Sequence, residues 1–351
     1  MQKTALKITA GIILLSLTVW LAYKAGMNPG NTLVYLDQPG SGHEKVISTD
    51  LNGRQSILLE NFGSLLEMSP SPDGKWLALI TEADDGTQAV MLFSLTENKI
   101  LVSYPCVAAF CNALFWQADS GMVYFHCSTL DDEVFNHQIV SLDVKTGHST
   151  PLSFNKGVIP LTFSLSPDGR YQAVYDNARK GFSILEDGQK ELVLIQSQDA
   201  SAVLWQSNPA RISVITSENL DKIPVSHLVE LNLETLTSRY LKDPSIENMD
   251  YSLLMQHPKE DVLIFGCRPV LRTLSRQICS ASLKEFVVEQ RTDFPSRNHS
   301  AAVISPDGKV LAYQTLNLTS SSAKPAVWVM DWSTGNSTLL AENAAMPQWI
   351  P

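Results

Sequence analysis

Basic residues are scarce in this chain. Of its 351 residues only 26 are Lys or Arg, against 36 Asp or Glu, and 18% are charged at all. The first 27 residues hold three lysines and no acid, so the remainder has 23 basic and 36 acidic residues, a balance of −13. Phosphate binding needs Lys and Arg gathered on one face, which makes so acidic a globule a poor partner for nucleic acid. Catalytic signatures are missing as well. The chain has no phosphate loop, no dinucleotide fingerprint, no zinc-ligand spacing and no Gly-x-Ser-x-Gly nucleophile elbow. No cofactor is expected. The seven histidines, at 43, 126, 137, 148, 227, 257 and 299, show no ligand spacing. The nearest approach to a cation site is His126 and His137, which flank Asp131 and Asp132. Cysteine is limited to five residues, an odd number that leaves one thiol over in any paired scheme.

Long apolar runs are absent but for one. Lys3 and Lys7 precede an uncharged stretch of 15 residues from Ile8 to Ala22. Residues 1–27 therefore read as an N-terminal signal anchor, a single transmembrane helix, with a cleaved signal peptide as the alternative. Cleavage is disfavoured because Ala25 has Tyr23 two places before it and Ala22 has Trp20, so neither completes a small-x-small site. The basic N-terminal flank predicts that residues 28–351 lie outside the cytoplasm, periplasmic or extracellular, tethered to the membrane.

One turn is abundant. Ser-Pro-Asp-Gly occurs at 71–74, 166–169 and 305–308, spaced by 95 and 139 residues, close to two and three multiples of a period near 47. Proline presets the first central φ of a type I turn, Asp bonds its own backbone, and Gly accepts the positive φ that reverses the chain. An apolar strand follows each copy, with an alanine four places after the glycine: Ala78, Ala173 and Ala312. Degenerate copies between them complete a four-strand unit repeated seven times, six being the rival count. The expected blades span 75–117, 118–165, 166–206, 207–256, 257–305 and 306–345. A closing blade combines 33–62 with 346–351. Residues 33–60 supply three strands with no first strand before them, and 346–351 supply a first strand with nothing after it, so pairing the two ends closes a ring. The fold class is all-β, a propeller of four-stranded blades in a single domain, 28–351.

Three features carry a family resemblance: the Ser-Pro-Asp-Gly-Lys/Arg turn, a tryptophan shortly before the turn position (Trp116, Trp205, Trp349), and a distal Asp or Asn in the third strand (Asp50, Asp143, Asn232, Asp331). Together they resemble the TolB-type, WD-like β-propeller repeat, and also the propeller of dipeptidyl-peptidase and prolyl-oligopeptidase-like proteins. The resemblance covers residues 31–351 and implies the fold. It implies no activity, because one propeller hosts many unrelated functions. TolB carries an N-terminal α/β domain, for which the roughly nine residues between Tyr23 and the first strand leave no room. The peptidases add an α/β-hydrolase domain, whose elbow motif does not occur here.

Function is sought where the repeats disagree. In a four-strand blade the loops between second and third strands share a face with the connections between blades, opposite the Ser-Pro-Asp-Gly turns. One such loop holds Glu82, Asp84 and Asp85, the next Asp131, Asp132 and Glu133, and one three blades further on Arg268, Arg272 and Arg276. This predicts a face with an acidic and a basic sector, suited to a protein or peptide partner. A binding or scaffolding module is favoured over the alternatives, a propeller hydrolase or lyase with its site on those loops, or an accessory subunit of a separate peptidase. Cys267 ends a second strand and Cys279 lies in the adjacent third strand, so an intrablade disulfide is geometrically reasonable. Cys127, at the matching position of its own blade, has Cys106 or Cys111 as candidate partners. Small buried side chains in a reduced protein are the other reading of all five.

Overall fold

The computed structural model describes residues 32–351 apart from 108, 132–133, 153–159, 201, 207, 209, 221–222, 242–248 and 271–272. The apolar run Ile8 to Ala22, and with it the expected anchor, falls outside the described residues. Among those described, no helix is long and apolar enough to cross a membrane. The regular elements are strands, arranged as seven antiparallel four-stranded sheets. Six blades are continuous in sequence: 64–106, 109–151, 160–196, 203–240, 249–290 and 297–342. The seventh joins Ala344–Ile350 to the three strands between Thr32 and Glu60.

The count is seven, and the ring is closed by the two ends. Leu33 pairs with Trp349, Val34 with Gln348 and Thr32 with Ile350. The expected limits of the other six blades are corrected by one strand: each blade begins with its first strand, before the turn. The reason lies in the turn itself, which is a hairpin and keeps its two strands hydrogen-bonded in one sheet. Ser71 N donates to Trp76 O and Gly74 N to Ser71 O at 2.9 and 3.0 Å. Ser71 Oγ donates to Asp73 Oδ1 (2.7 Å) and accepts from Trp76 N (3.0 Å). The same serine–aspartate pair forms at 166–168 and 305–307. These aspartates are occupied in shaping turns. Asp50, Asp143, Asn232 and Asp331 do the same work two hairpins further on, accepting backbone N–H groups of the turns between third and fourth strands.

Burial is greatest between blades. Ala78, Ile80, Val90 and Leu92 of blade one pack with Val123, Phe125, Val140 and Leu142 of blade two, and comparable layers fill other junctions. Second and third strands covered on both faces read as near-continuous apolar runs, such as Leu77 to Ile80, all fully buried. Each buried Val, Leu, Ile or Phe contributes about 1.5–3 kcal/mol. Ala78, Ala173 and Ala312 are buried to within 1%, as their fixed place in the repeat predicts. Polar ties cross the junctions at repeat spacing. Trp116 Nε1 donates to Ser69 O (3.0 Å) and Trp349 Nε1 to Val303 O (3.1 Å), each reaching the first strand of the preceding blade.

First strands carry a feature that the sequence did not announce. The pairing of first with second strand slips at Leu65/Glu67, Asn112/Phe115, Pro160/Phe163, Ser252/Leu254 and Ser300/Val303, and again where the C-terminal strand meets Val34/Leu36. These are β-bulges. Four of them place a non-glycine residue in the left-handed region: Ala113 (φ 58°), Leu253 (49°), Ala301 (46°) and Met346 (52°). Freed amides at two bulges are taken by the neighbouring blade. Glu67 accepts from Ala113 N and Leu114 N, both at 2.8 Å, and Gln314 Oε1 accepts from Met346 N at 3.1 Å.

Candidate binding face

The strand order places the connections between second and third strands, and those between blades, at one end of the barrel-like ring. Glu82 closes the second strand of blade one, and residues 83–87 form the turn to the third. Asp84 and Asp85 are exposed there. Asp85 Oδ1 accepts from Thr87 N at 2.9 Å, and this bond holds its carboxyl below the usual carboxylate range. Glu82 is tied down, accepting from Gln88 Nε2 at 3.0 Å. Gln88 Oε1 in turn accepts from Cys111 N (2.9 Å), which couples this loop to blade two. Asp131 ends its strand with its main chain opposite Val134. Asp132, Glu133 and Arg272 lie outside the described residues.

Arg268 and Arg276 come together on one carboxylate. Asp250 Oδ2 accepts from Arg268 Nε and from Arg276 Nη2, each at 2.6 Å. The trio therefore carries one net positive charge rather than two. Asp250 was not anticipated, although the repeat contains the signal: it opens the first strand of the same blade and lies in register with Arg268. The basic sector extends into blade six. Arg297 sits over the Trp328 ring at 4.7 Å and, with Lys324, Asn317 and Asn343, lines a recess of about 430 Å³. A second recess of about 320 Å³ in blade five is lined by Met249, Thr273, Gln277 and the cysteines 267 and 279.

Those two cysteines are joined in a disulfide within the blade, as expected. The other pairing is corrected. Cys106 bonds to Cys111 across a Cα separation of 6.3 Å, and Cys127 remains a buried thiol. The short link between the last strand of blade one and the first of blade two brings those two sulfurs together before the chain reaches residue 127.

The histidines 126 and 137 do meet, with ring centroids 5.1 Å apart and nearly parallel. His126 is buried and bonded to Asn112 Oδ1 (3.0 Å), and Ser128 Oγ lies 2.8 Å from His137 Nδ1. Burial, helped by His137, pushes His126 down to about 4, so the ring is neutral at physiological pH. Among the described residues no group of three or more His, Cys, Asp or Glu side chains is placed to hold a metal ion.

The turn face is not featureless either. Phe115, Tyr124, Trp205, Asp119 and Asp168 line a recess of about 860 Å³ between blades two, three and four.

No family model matches this sequence, and no curated protein does so. Solved structures do match in shape. TolB from Acinetobacter baumannii superposes with a TM-score of 0.55 at 13% identity, over 92% of this chain and 67% of that one. A structure from a study of two prolyl endopeptidases gives 0.64 at 15% identity, over 92% of this chain and 49% of the enzyme. The β-propeller domain of the Trilobed protease from Pyrococcus furiosus, described as having an open velcro topology, gives 0.56 at 12% identity, over 80% and 86%. The chain thus spans about half of the endopeptidase and two thirds of TolB, and identities this low speak to fold alone. This protein is a seven-bladed β-propeller similar in fold to TolB and to the propellers of prolyl endopeptidase-like proteins.

Proposed function

We propose that this propeller is a membrane-tethered, extracytoplasmic binding module whose loop face receives a protein or peptide partner. The observation that carries the reading is the division of charge on that face. Blade one presents the exposed Asp84 and Asp85, blade five holds Arg268 and Arg276 on the single carboxylate of Asp250, and in blade six Arg297 and Lys324 line a recess bordered by Glu342. Charges arranged this way orient a partner of complementary polarity and set its encounter rate more than its final affinity. The tether rests on Lys3, Lys7 and the apolar run to Ala22.

The test is crosslinking of the protein in its native membrane, with captured partners quantified by mass spectrometry. The double variant Arg297→Gln/Lys324→Glu should lower capture of the principal partner at least several-fold, with the circular dichroism spectrum unchanged. Lys190→Glu, on the turn side of blade three, should leave capture as it was. Equal capture by both variants, or recovery of nothing beyond random neighbours, overturns the reading. N-terminal sequencing of the mature protein tests the tether separately: loss of the first 25 or so residues removes it.

A further inference from the structure

Three of the five cysteines share one buried layer between blades one and two. Cys106, Cys111 and Cys127 are exposed by only 3%, 3% and 6%, and all belong to the apolar cluster built on Val123 and Phe125. Cys127 lies directly opposite Cys111 across the first and second strands of blade two. The type of that pairing follows from one hydrogen bond. Cys111 N donates to the Gln88 side chain, away from the second strand, so the pair does not exchange its own N–H···O bonds. Such non-hydrogen-bonded pairs are the close ones, with Cα atoms about 4.5 Å apart and side chains on the same face. That separation falls inside the window of roughly 4.4–6.8 Å in which a disulfide can form. The thiol of Cys127 therefore stands beside a sulfur that is already half of a disulfide.

We propose that Cys106, Cys111 and Cys127 form a thiol–disulfide exchange site in which Cys127 displaces Cys106 from Cys111. Cys127 loses its proton and its sulfur attacks Cys111 Sγ. The Cys111–Cys127 bond forms as the Cys106–Cys111 bond breaks, and Cys106 leaves as a thiolate that takes up a proton. One disulfide and one thiol are present before and after, so no oxidant or reductant is consumed. The two pairings differ in what they join. Cys106–Cys111 clips the last strand of blade one, Lys99–Cys106, to the first strand of blade two, Ala109–Trp116. Cys111–Cys127 lies wholly within blade two. Exchange thus removes the covalent link between the two blades at this point and leaves them joined there by the Gln88 bridge, alongside the Glu67 and Trp116 bonds elsewhere on the same boundary. Burial pushes the Cys127 thiol up, which keeps thiolate scarce and the resting pairing long-lived. This inference does not depend on the loop-face reading.

Chymotryptic cleavage after Phe110 separates Cys106 from Cys111, so disulfide mapping by mass spectrometry after acid quench and alkylation resolves each pairing. In the wild-type protein held in a glutathione redox buffer, peptides joined through Cys111 and Cys127 should appear, with Cys106 alkylated in the same proportion. In Cys106→Ser, air oxidation should yield a Cys111–Cys127 bond and no alkylated thiol at either position. The Cys267–Cys279 bond of the same molecules serves as the internal standard for oxidation. Should Cys106→Ser fail to fold, the wild-type measurement decides alone. Alkylation of both Cys111 and Cys127 in a folded variant whose Cys267–Cys279 bond is complete overturns the proposal. So does a wild-type protein in which only Cys127 is ever alkylated, or in which Cys127 pairs with Cys106.

Discussion

Gly169 and Gly308 occupy the same place in two copies of one turn, with φ of 74° and 76°, yet their surroundings differ. A Cβ on Gly169 would meet nothing within 4 Å, whereas one on Gly308 would lie 2.5 Å from His257 Cε1. The imidazole also bonds Gly308 O through Nε2 at 2.8 Å. Gly169→Ala should therefore cost only the left-handed backbone penalty, about 1–2 kcal/mol. Gly308→Ala should cost about 1–3 kcal/mol more, because the buried ring must move and give up its bond. Urea unfolding of the two variants makes the comparison, and equal losses would show that His257 yields freely. A second residue-scale effect depends on pH. The folded His126 titrates near 4, below its ordinary value of 6.5, because burial first and His137 second disfavour the charged ring. Between those values the unfolded chain binds a proton that the folded one refuses, so stability falls as pH falls from about 6.5 to about 4. The shift of roughly 2.5 units corresponds to about 3 kcal/mol at the acid end. Urea midpoints measured across that range should decline less steeply in His126→Asn than in the wild type.

Strands and hairpins were the legible scale of this sequence, and the reason is local. Pro, Asp and Gly at fixed offsets dictate a turn whatever surrounds it, and the apolar run after each copy has one sensible place in a stacked blade. Cys267 and Cys279 could be paired because both sit on neighbouring strands of one template. Signals that depend on a neighbouring blade were not legible. The bulges at Ala113, Leu253, Ala301 and Met346 share no single residue type and none is glycine, and the Asp250 anchor of Arg268 and Arg276 emerges only once register is known. Tryptophan shows how one motif residue can have different fates. Trp116 Nε1 bonds Ser69 O across a blade boundary, while Trp205 Nε1, at the matching place, is buried with no partner among the described residues. Trp116→Phe gives up the bond to Ser69 O, a carbonyl that keeps its ladder partner Ala78, and should cost about 0.5–1.5 kcal/mol beyond the loss of ring area. Trp205→Phe gives up no such bond and relieves an unsatisfied donor, so it should be the milder change. Thermal unfolding of the pair reads the difference, and a larger loss from Trp205→Phe would contradict it.

At the scale of the whole ring, closure decides whether seven blades behave as one body. The C-terminal strand Ala344–Ile350 supplies the first strand of the seventh blade, and its tip reaches on to blade one. There, Pro351 O lies so close to Gly74 that a Cβ at that glycine would stand 2.4 Å from it. On the other side Trp349 Nε1 bonds Val303 O in blade six, and Gln314 of that blade caps the Met346 amide. A strand of seven residues thus joins three blades. Removing residues 346–351 would unpair Leu33 and Val34, both fully buried, and strip Trp349 and Ile350 from the layers on either side. It would also expose the edge of the strand Thr32–Asp37, a template for pairing with another chain. Losing two large buried side chains alone is worth about 5–8 kcal/mol, comparable with the whole stability of many domains. The truncated chain should therefore lose its single cooperative melting transition and associate, as seen by calorimetry and size-exclusion chromatography. Adding back a synthetic peptide of residues 344–351 should restore the transition if the strand acts by docking into a preformed gap. A truncated chain that stays monomeric and melts at the wild-type temperature would mean that the remaining blades hold the ring without it.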